Sequence, residues 1–459
     1  MNAQQPGART LTRTRVRLTT VIAVVATAAI AAPASAHHPT RTDAVATWNE
    51  NAGKAAVAAC ISPVGPSPAE ARLYAMAHIA IHDALNAIDR RSRPYAYHGR
   101  VGRHASPDAA VAAAARDVMV PVLGQVVDLV GQDCVDDAVE SVEADYVAAL
   151  DAVRDGRAKA RGIEVGQDAA AAILALRADD GAKTLLMPDF GYPQGTEPGV
   201  YRFGPGAIFA FAPRLGELTP FALRDGSQFR PGPPHAVTDP RYTADFNQVK
   251  RLGGDDLTTP SARTPDQTEI ALFWYESSPL QWNRIARRVG TRLDPWEQAR
   301  LFGLLNIALT DGYIGTFETK YHYNYWRPVT AIRLAATDGN PNTVADPTWT
   351  PLRTTPEIPD YDSGHAVEGG AGAEVLQRFF GDRVRFSTCS TTLEDAENNC
   401  GGDDAHYRSY RSFSQAAREN GRSRIYIGFH FREAVEVGTD HGGRIADFAV
   451  DRLMRPRGR

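Results

Sequence analysis

Three short patterns in the C-terminal third concentrate positive charge, imidazole and a hydroxyl. They are Lys320-x6-Arg327-Pro328, Ser363-Gly364-His365 and Ser423-Arg424-x5-His430. Guanidinium forks and an ammonium match the oxygens of a tetrahedral or trigonal-bipyramidal oxyanion. Two imidazoles, which titrate near neutral pH, suit its axial ends. The set reads as a pocket for phosphate or vanadate. Each pattern alone is weak, since a lone Lys or Arg is usually a solvated helix charge and Ser-Gly usually a turn. Their joint occurrence in fixed order carries the reading.

The elements that must position these groups are helices. Lys320 and Arg327 are seven apart, or two helical turns, which predicts one face of one helix, kinked or ended by Pro328 just after the arginine. Ser363-Gly364-His365 follows Pro359 and precedes a helical run, which predicts a helix N-terminus. Free N–H groups and the helix dipole favour an anion there, and Gly364 lets the backbone approach it. Arg424 and His430, six apart, would diverge on one continuous helix. Their convergence requires Arg424 before a helix and His430 near its start, with a break at Gly428.

Pro68-Ala69-Glu70 opens a helix to about Arg90, with Leu73, Ala77, Ile81, Leu85 and Ile88 at helical spacing. Similar patterns cover about 106–130, 135–154 and 160–178. Residues 182–262 are dense in Gly, Pro and aromatics, and lose periodicity, which predicts ordered coil or a functional segment. Helices resume at Thr264-Pro265-Asp266, a cap followed by proline, and continue at about 295–318, 320–335, 364–380, 411–421 and 428–453. No run alternates as strands do. The fold class is all-α. The expected organisation is a signal peptide at 1–36, an N-terminal helical bundle at 37–181, an irregular connection at 182–262, and a C-terminal helical bundle at 263–459 with the oxyanion site.

The three patterns resemble the signature of the vanadium-dependent haloperoxidases, which share their site with the type-2 phosphatidic acid phosphatase superfamily. Seven positions match it: Lys320, Arg327, Ser363, Gly364, His365, Arg424 and His430. The flanking Tyr321-His322-Tyr323-Asn324-Tyr325-Trp326 and Ile358-Pro359-Asp360-Tyr361 resemble bacterial secreted members. The resemblance runs from about residue 70 to the C-terminus, with its specific motifs in the last third.

This resemblance implies two stacked four-helix bundles, with the site in the second. It implies vanadate as cofactor, its metal bonded covalently to His430. Lys320, Arg327 and Arg424 would neutralise the equatorial oxygens, helped by Ser363 and the Gly364 amide. His365 would serve as acid–base catalyst, with Lys320 also counted in the catalytic set. Hydrogen peroxide and halide would be the reactants and a hypohalous acid or an equivalent halogenating species the product, with room left for an organic acceptor. The same residues would serve a secreted acid phosphatase, His430 attacking phosphorus to give a phosphohistidine and His365 protonating the leaving alcohol. A non-catalytic oxyanion binder is a third reading, which the intact His365 disfavours.

Three positions depart from the family pattern. Asp362 stands where the family usually has proline, and either offsets a cation or points to solvent. Ala434 stands where related enzymes carry an aspartate that orients the histidine, leaving Glu433, Glu436 or a backbone carbonyl as substitutes. Ile358 stands about where halide-discriminating members place an aromatic or a histidine, so halide preference is open. Asp311 is either a partner of one site cation or an exposed helix acid.

Residues 1–36 read as an export signal: Arg9, Arg13, Arg15 and Arg17, an apolar run from Leu18 to Ala32, and Ala34-Ser35-Ala36 before His37. The expected location is therefore extracellular or on the cell-envelope exterior. The run is short for a membrane span. Its loss removes four arginines and no acids, taking the net charge from −4 to −8. That balance disfavours nucleic acid or an anionic membrane as partner and makes the cationic cluster a local feature. Assembly is left open, a homodimer included.

In an exported chain the four cysteines read as two disulfides. Cys389–Cys400 would staple the loop between them and leave Cys60–Cys134 to tie two N-terminal helices, although three pairings are open. Spacings of ten or more residues disfavour zinc. His78 and His82 beside Asp83 read as a packed pair, His37-His38 as a terminal pair, Asp403-Asp404-Ala405-His406 as a surface loop and Asp338-Gly339-Asn340 as a turn.

Overall fold

Helices start where the sequence supplies caps. In the computed structural model, which describes residues 43–393, 400 and 405–457, the Ser106, Thr264 and Asp294 side chains each accept an amide of the first helical turn. Thr264 with Gln267, and Asp294 with Glu297, complete reciprocal capping boxes, with Pro265 and Pro295 at the first helical positions. The export signal, His37-His38 and Asp403-Asp404 lie outside the described residues.

The first helices are α1 (Ala44–Ala58), α2 (Ser67–Ile88), α3 (Pro107–Gly124), the single turn α4 (Val127–Val130), α5 (Gln132–Asp151) and α6 (Arg157–Leu176). Next come α7 (Ala182–Leu185), a two-residue antiparallel pair β1 (Pro188–Asp189) and β2 (Ala210–Phe211), and α8 (Pro240–Leu252). The remainder comprises α9 (Pro265–Phe273), α10 (Ser278–Val289), α11 (Pro295–Tyr323), α12 (Pro328–Leu334) and α13 (Gly364–Phe380). A short antiparallel ribbon, β3 (Phe386–Thr388) with β4 (Arg408–Tyr410), precedes α14 (Phe413–Tyr426) and α15 (Arg432–Arg452). The protein is all-α, a helical-bundle fold with two minor ribbons.

Helices α2, α3, α5 and α6 pack around one another, as do α11, α13, α14 and α15, and α2 lies against α11 between the two groups. Every residue of α2 from Pro68 to Ile88 is buried, which explains why apolar residues occupy all its faces rather than one stripe. Cys60, just beyond α1, is bridged to Cys134 on α5, and Cys389 to Cys400. Among the described residues no helix is long and apolar enough to cross a membrane.

The expected helix over 320–335 is two helices. Asn324 takes a left-handed conformation (φ 49°) and caps α11, and Pro328 opens α12. The expected coil at 182–262 contains α8, whose start carries the Asp239 cap and Pro240. The rest of that segment is ordered coil, held partly by Asp311. This carboxylate is buried in α11 and accepts the backbone amides of Phe221, Ala222 and Leu223 at 2.7, 2.7 and 2.9 Å. Asp311 is thus neither an exposed helix acid nor the partner of a site cation, and burial pushes its carboxyl up to about 6.

Candidate anion-binding site

Lys320 lies in the last turn of α11 inside the protein, 1% exposed, and its ammonium donates to the carbonyls of Pro359 and Asp360 at 3.0 and 2.9 Å. Arg327 caps α12 in an extended conformation (φ −82°, ψ 155°), as the residue before a proline should. It donates from Nε to Ile358 O at 2.6 Å and from Nη1 to Phe429 O at 3.0 Å and His430 Nε2 at 2.9 Å. Lys320 and Arg327 therefore meet through the turn at Asn324 and not along one helical face.

Ser363 caps α13 without spending its hydroxyl on the helix, while its amide donates to Ala434 O at 2.9 Å. Gly364 and His365 are the first two residues of α13, where amides lack intrahelical acceptors. A Cβ at Gly364 would meet nothing nearer than Thr316 Cγ2 at 3.9 Å, so the glycine keeps open space beside the helix terminus. His365 is half-buried and donates from Nε2 to Glu276 O at 3.3 Å.

Arg424 lies in the last turn of α14, not ahead of a helix as the spacing predicts, because α14 continues to Tyr426. The chain then reverses at Gly428 (φ 87°), and the Arg424 carbonyl accepts the amides of Phe429 (3.0 Å) and His430 (3.2 Å). His430 sits two residues before α15. The expected break at Gly428 is present and brings guanidinium and imidazole together.

The orienting carboxylate for His430 is one that sequence reasoning passed over. Asp360 Oδ1 lies 2.9 Å from His430 Nδ1. Neither expected substitute is near: Glu433 pairs with the ring and backbone amide of His235, and Glu436 with Arg432. Asp360 lay within the quoted Ile358-Pro359-Asp360-Tyr361, but its neighbour is 70 residues away in sequence and is fixed only by the fold. Asp362 is fully buried, so it does not point to solvent. It accepts from Thr316 Oγ1 at 2.7 Å and pairs with His441 Nδ1 at 2.9 Å.

Burial with nearby like charge shapes every ionisable group in this cluster. Desolvation, then Arg327, brings Lys320 down to about 7, and desolvation brings Arg424 down to about 9. Burial and surrounding cations hold His365 and His430 well below the usual imidazole range. Burial raises Asp360 to about 7 against the pull of Arg327 and Lys320. Arg327 Nη1 approaches His430 Nε2 at 2.9 Å, and Asp360 Oδ1 stands on the Nδ1 side of the same ring.

Arg327, Gly364, His365, Arg424 and His430 line one cavity of about 620 Å3. Ile358 lines it too, while Lys320 and Ser363 are not on its surface and stand behind it. Among the described residues, four buried donor atoms here have no protein partner: Arg327 Nη2, Arg424 Nε and Nη2, and Ser363 Oγ. Buried donors left unpaired are costly, and unpaired buried charge more so. An oxyanion would satisfy both needs, and the glycine leaves it room. The residues present fit such a group.

The remaining candidates are structural. His78 bonds Asn49 (2.8 Å), His82 lies between Asp83 (2.9 Å) and Ser92 (2.7 Å), and no metal-binding cluster of His, Cys, Asp or Glu occurs among the described residues. His406 is exposed against Glu269, and Asp338 accepts the Asn340 amide in a turn.

Residues 300–458 match the family model of the VCPO second helical-bundle domain, a span that contains all seven motif positions. A curated relative, the vanadium chloroperoxidase of Curvularia inaequalis, is 30% identical over 205 residues. That alignment covers 38% of this chain and 33% of the relative, so the chain spans about a third of that protein's length. Among solved structures, a bacterial vanadium-dependent iodoperoxidase superposes with a TM-score of 0.71 at 22% identity, covering 91% of this chain and 98% of that one. A holo-type bacterial vanadium-dependent chloroperoxidase gives 0.66 at 18% identity, with 87% and 94% covered.

Proposed function

We propose that the chain belongs to the vanadium-dependent haloperoxidase family and uses vanadate and hydrogen peroxide to oxidise halide to a hypohalous acid or equivalent halogenating species. One observation carries the proposal: unpaired buried guanidinium and hydroxyl donors cluster with a helix N-terminus and an imidazole that has Asp360 at its other nitrogen. Bound vanadate supplies a Lewis acid that activates peroxide toward attack by halide.

Arg327 and Arg424 would hold the vanadate oxygens, with the Gly364 amide beside them and the unpaired Ser363 hydroxyl just behind the cavity surface. Lys320 stands behind the wall and adds charge through space. His430 would bond the metal through Nε2, and Asp360, 2.9 Å from Nδ1, would steady its ring. His365 is an imidazole on the cavity surface and so can take a proton there and return it. Arg327, Arg424 and His430 are buried, so water screens their charges less than at the surface.

The cradle accepts phosphate by the same chemistry, and Asp360–His430 has the form of an oriented nucleophile, so the deciding assay has two arms. Purified protein is tested for bromination of an activated diketone and for hydrolysis of an aryl phosphate, each with and without vanadate. Bromination that requires both vanadate and peroxide is expected, and His430→Ala abolishes it. Phosphate release inhibited by vanadate would replace this reading with an acid phosphatase, and neither activity would leave an oxyanion binder.

Export is part of the same reading. It is supported by the arginine-rich, apolar and small-residue succession of residues 1–36 and by two disulfides that suit an oxidising compartment.

A further inference from the structure

The cavity is much larger than its inorganic occupants. Vanadate, peroxide and halide together have about eight heavy atoms; at about 30 Å3 each, a water's share of the liquid, they fill roughly 240 Å3. More than half of the 620 Å3 is left. The walls of that remainder are unsuited to ions, being built largely from Val64, Leu129, Val130, Phe209, Phe211 and Phe317. Apolar concavities of this size, with a few convergent polar groups, are the usual form of organic-ligand sites.

The two kinds of wall have separate origins. The anion cradle comes from residues 327–430, whereas most of the apolar wall comes from the 60–68 loop, α4 and the coil around β2. That wall is held in place: Phe211 bonds Glu357 O through its amide (2.8 Å) and accepts from Tyr321 Oη (2.6 Å), and Cys60 is bridged to α5. Two polar handles are free, since Thr355 and Tyr313 line the cavity and their hydroxyls are buried with no partner among the described residues.

We propose that this apolar compartment binds a phenol-type arene with an apolar substituent, which is halogenated inside the protein. The inference rests on the peroxidase reading and names its acceptor. Halide, peroxide and a proton give hypohalous acid and water, with the halide oxidised by two electrons and the O–O bond reduced. The ring carbon then forms the C–X bond as its C–H bond breaks, and the released proton joins the departing hydroxide as water. An electron-rich ring is required because the transferred halogen is electrophilic. A ring stacks on phenylalanine at modest entropic cost, and its hydroxyl can pair with Thr355.

The test uses 4-phenylphenol as probe and has one arm independent of turnover. Calorimetric titration into the vanadate-free protein should show saturable binding, weakened at least fivefold by Phe209→Ala and by Val64→Asp; both side chains are partly exposed, and thermal melts check that each variant folds. In the second arm, vanadate-loaded protein halogenates a mixture of 4-phenylphenol and phenol. The product ratio should favour 4-phenylphenol at least fivefold over the ratio given by reagent hypohalous acid. An unchanged ratio, or no saturable binding, overturns the inference. If halide oxidation itself is absent the peroxidase reading fails, and the titration alone decides whether the compartment takes an arene.

Discussion

His430 illustrates how much of a site is residue type and how much is placement. The imidazole, the cations and the glycine were legible because each is a chemically constrained type inside a short pattern. Asp360 was not, because carboxylates are common and its partner is set by two chain reversals, at Asn324 and Gly428, which no local pattern connects. The same neighbourhood makes a pH prediction. Lys320 titrates at about 7 and loses its charge above that value, and Asp360, also at about 7, gains a negative charge over the same range. Both changes oppose an anion. At pH 8 roughly a tenth of Lys320 remains charged, so oxyanion affinity should fall about tenfold from pH 6 on this account alone. Vanadate titrations at both pH values should show a flatter slope in Lys320→Met than in the native protein, which also cancels the ligand's own protonation.

Helix termini, more than helix interiors, decide where the functional groups go. The α13 start was legible to the residue from Ser363-Gly364, and the α9 start from Thr264-Pro265. Helix ends were less so. Asn324 stops α11 by adopting a left-handed conformation that its neighbours do not announce, and α14 runs five residues past its expected end at 421. Helix α8 was missed within coil-like composition although Asp239-Pro240 is a proper start signal. Two glycines separate binding from folding in a testable way. Gly364→Ala adds a methyl into open cradle space, and should cost at least tenfold in vanadate affinity while leaving unfolding stability within about 0.5 kcal/mol. Gly428→Ala forces a side chain onto a φ of 87° and within 2.6 Å of Gly253 O, and should lower stability by more than about 1 kcal/mol. Urea melts and calorimetry on the two variants check both halves.

The described chain from Asp43 onward folds as one compact unit, with α2 and α11 buried where its two helix groups meet. The all-α class was legible from periodicity, whereas the cavity wall contributed by the 60–68 loop and α4 depends on contacts spanning hundreds of residues. Because the uncompensated cations are an internal cost, the empty protein is held below its achievable stability. Vanadate at one hundred times its Kd should stabilise it by about 2.7 kcal/mol, read as a rise in Tm with ligand concentration. Arg424→Met, which removes a buried unpaired charge, should blunt that rise and melt no lower than the native protein without ligand.

The donor set around Gly364 has no feature that counts valence electrons on the central atom. Phosphate and vanadate present the same oxygens to Arg327 and Arg424. On the proposed role of His430, discrimination would fall to its Nε2 lone pair, since vanadium keeps an added ligand more readily than phosphorus does. Handling the protein in phosphate buffer would load the competitor, and activation would become an exchange reaction whose speed is set by how fast the wrong guest leaves.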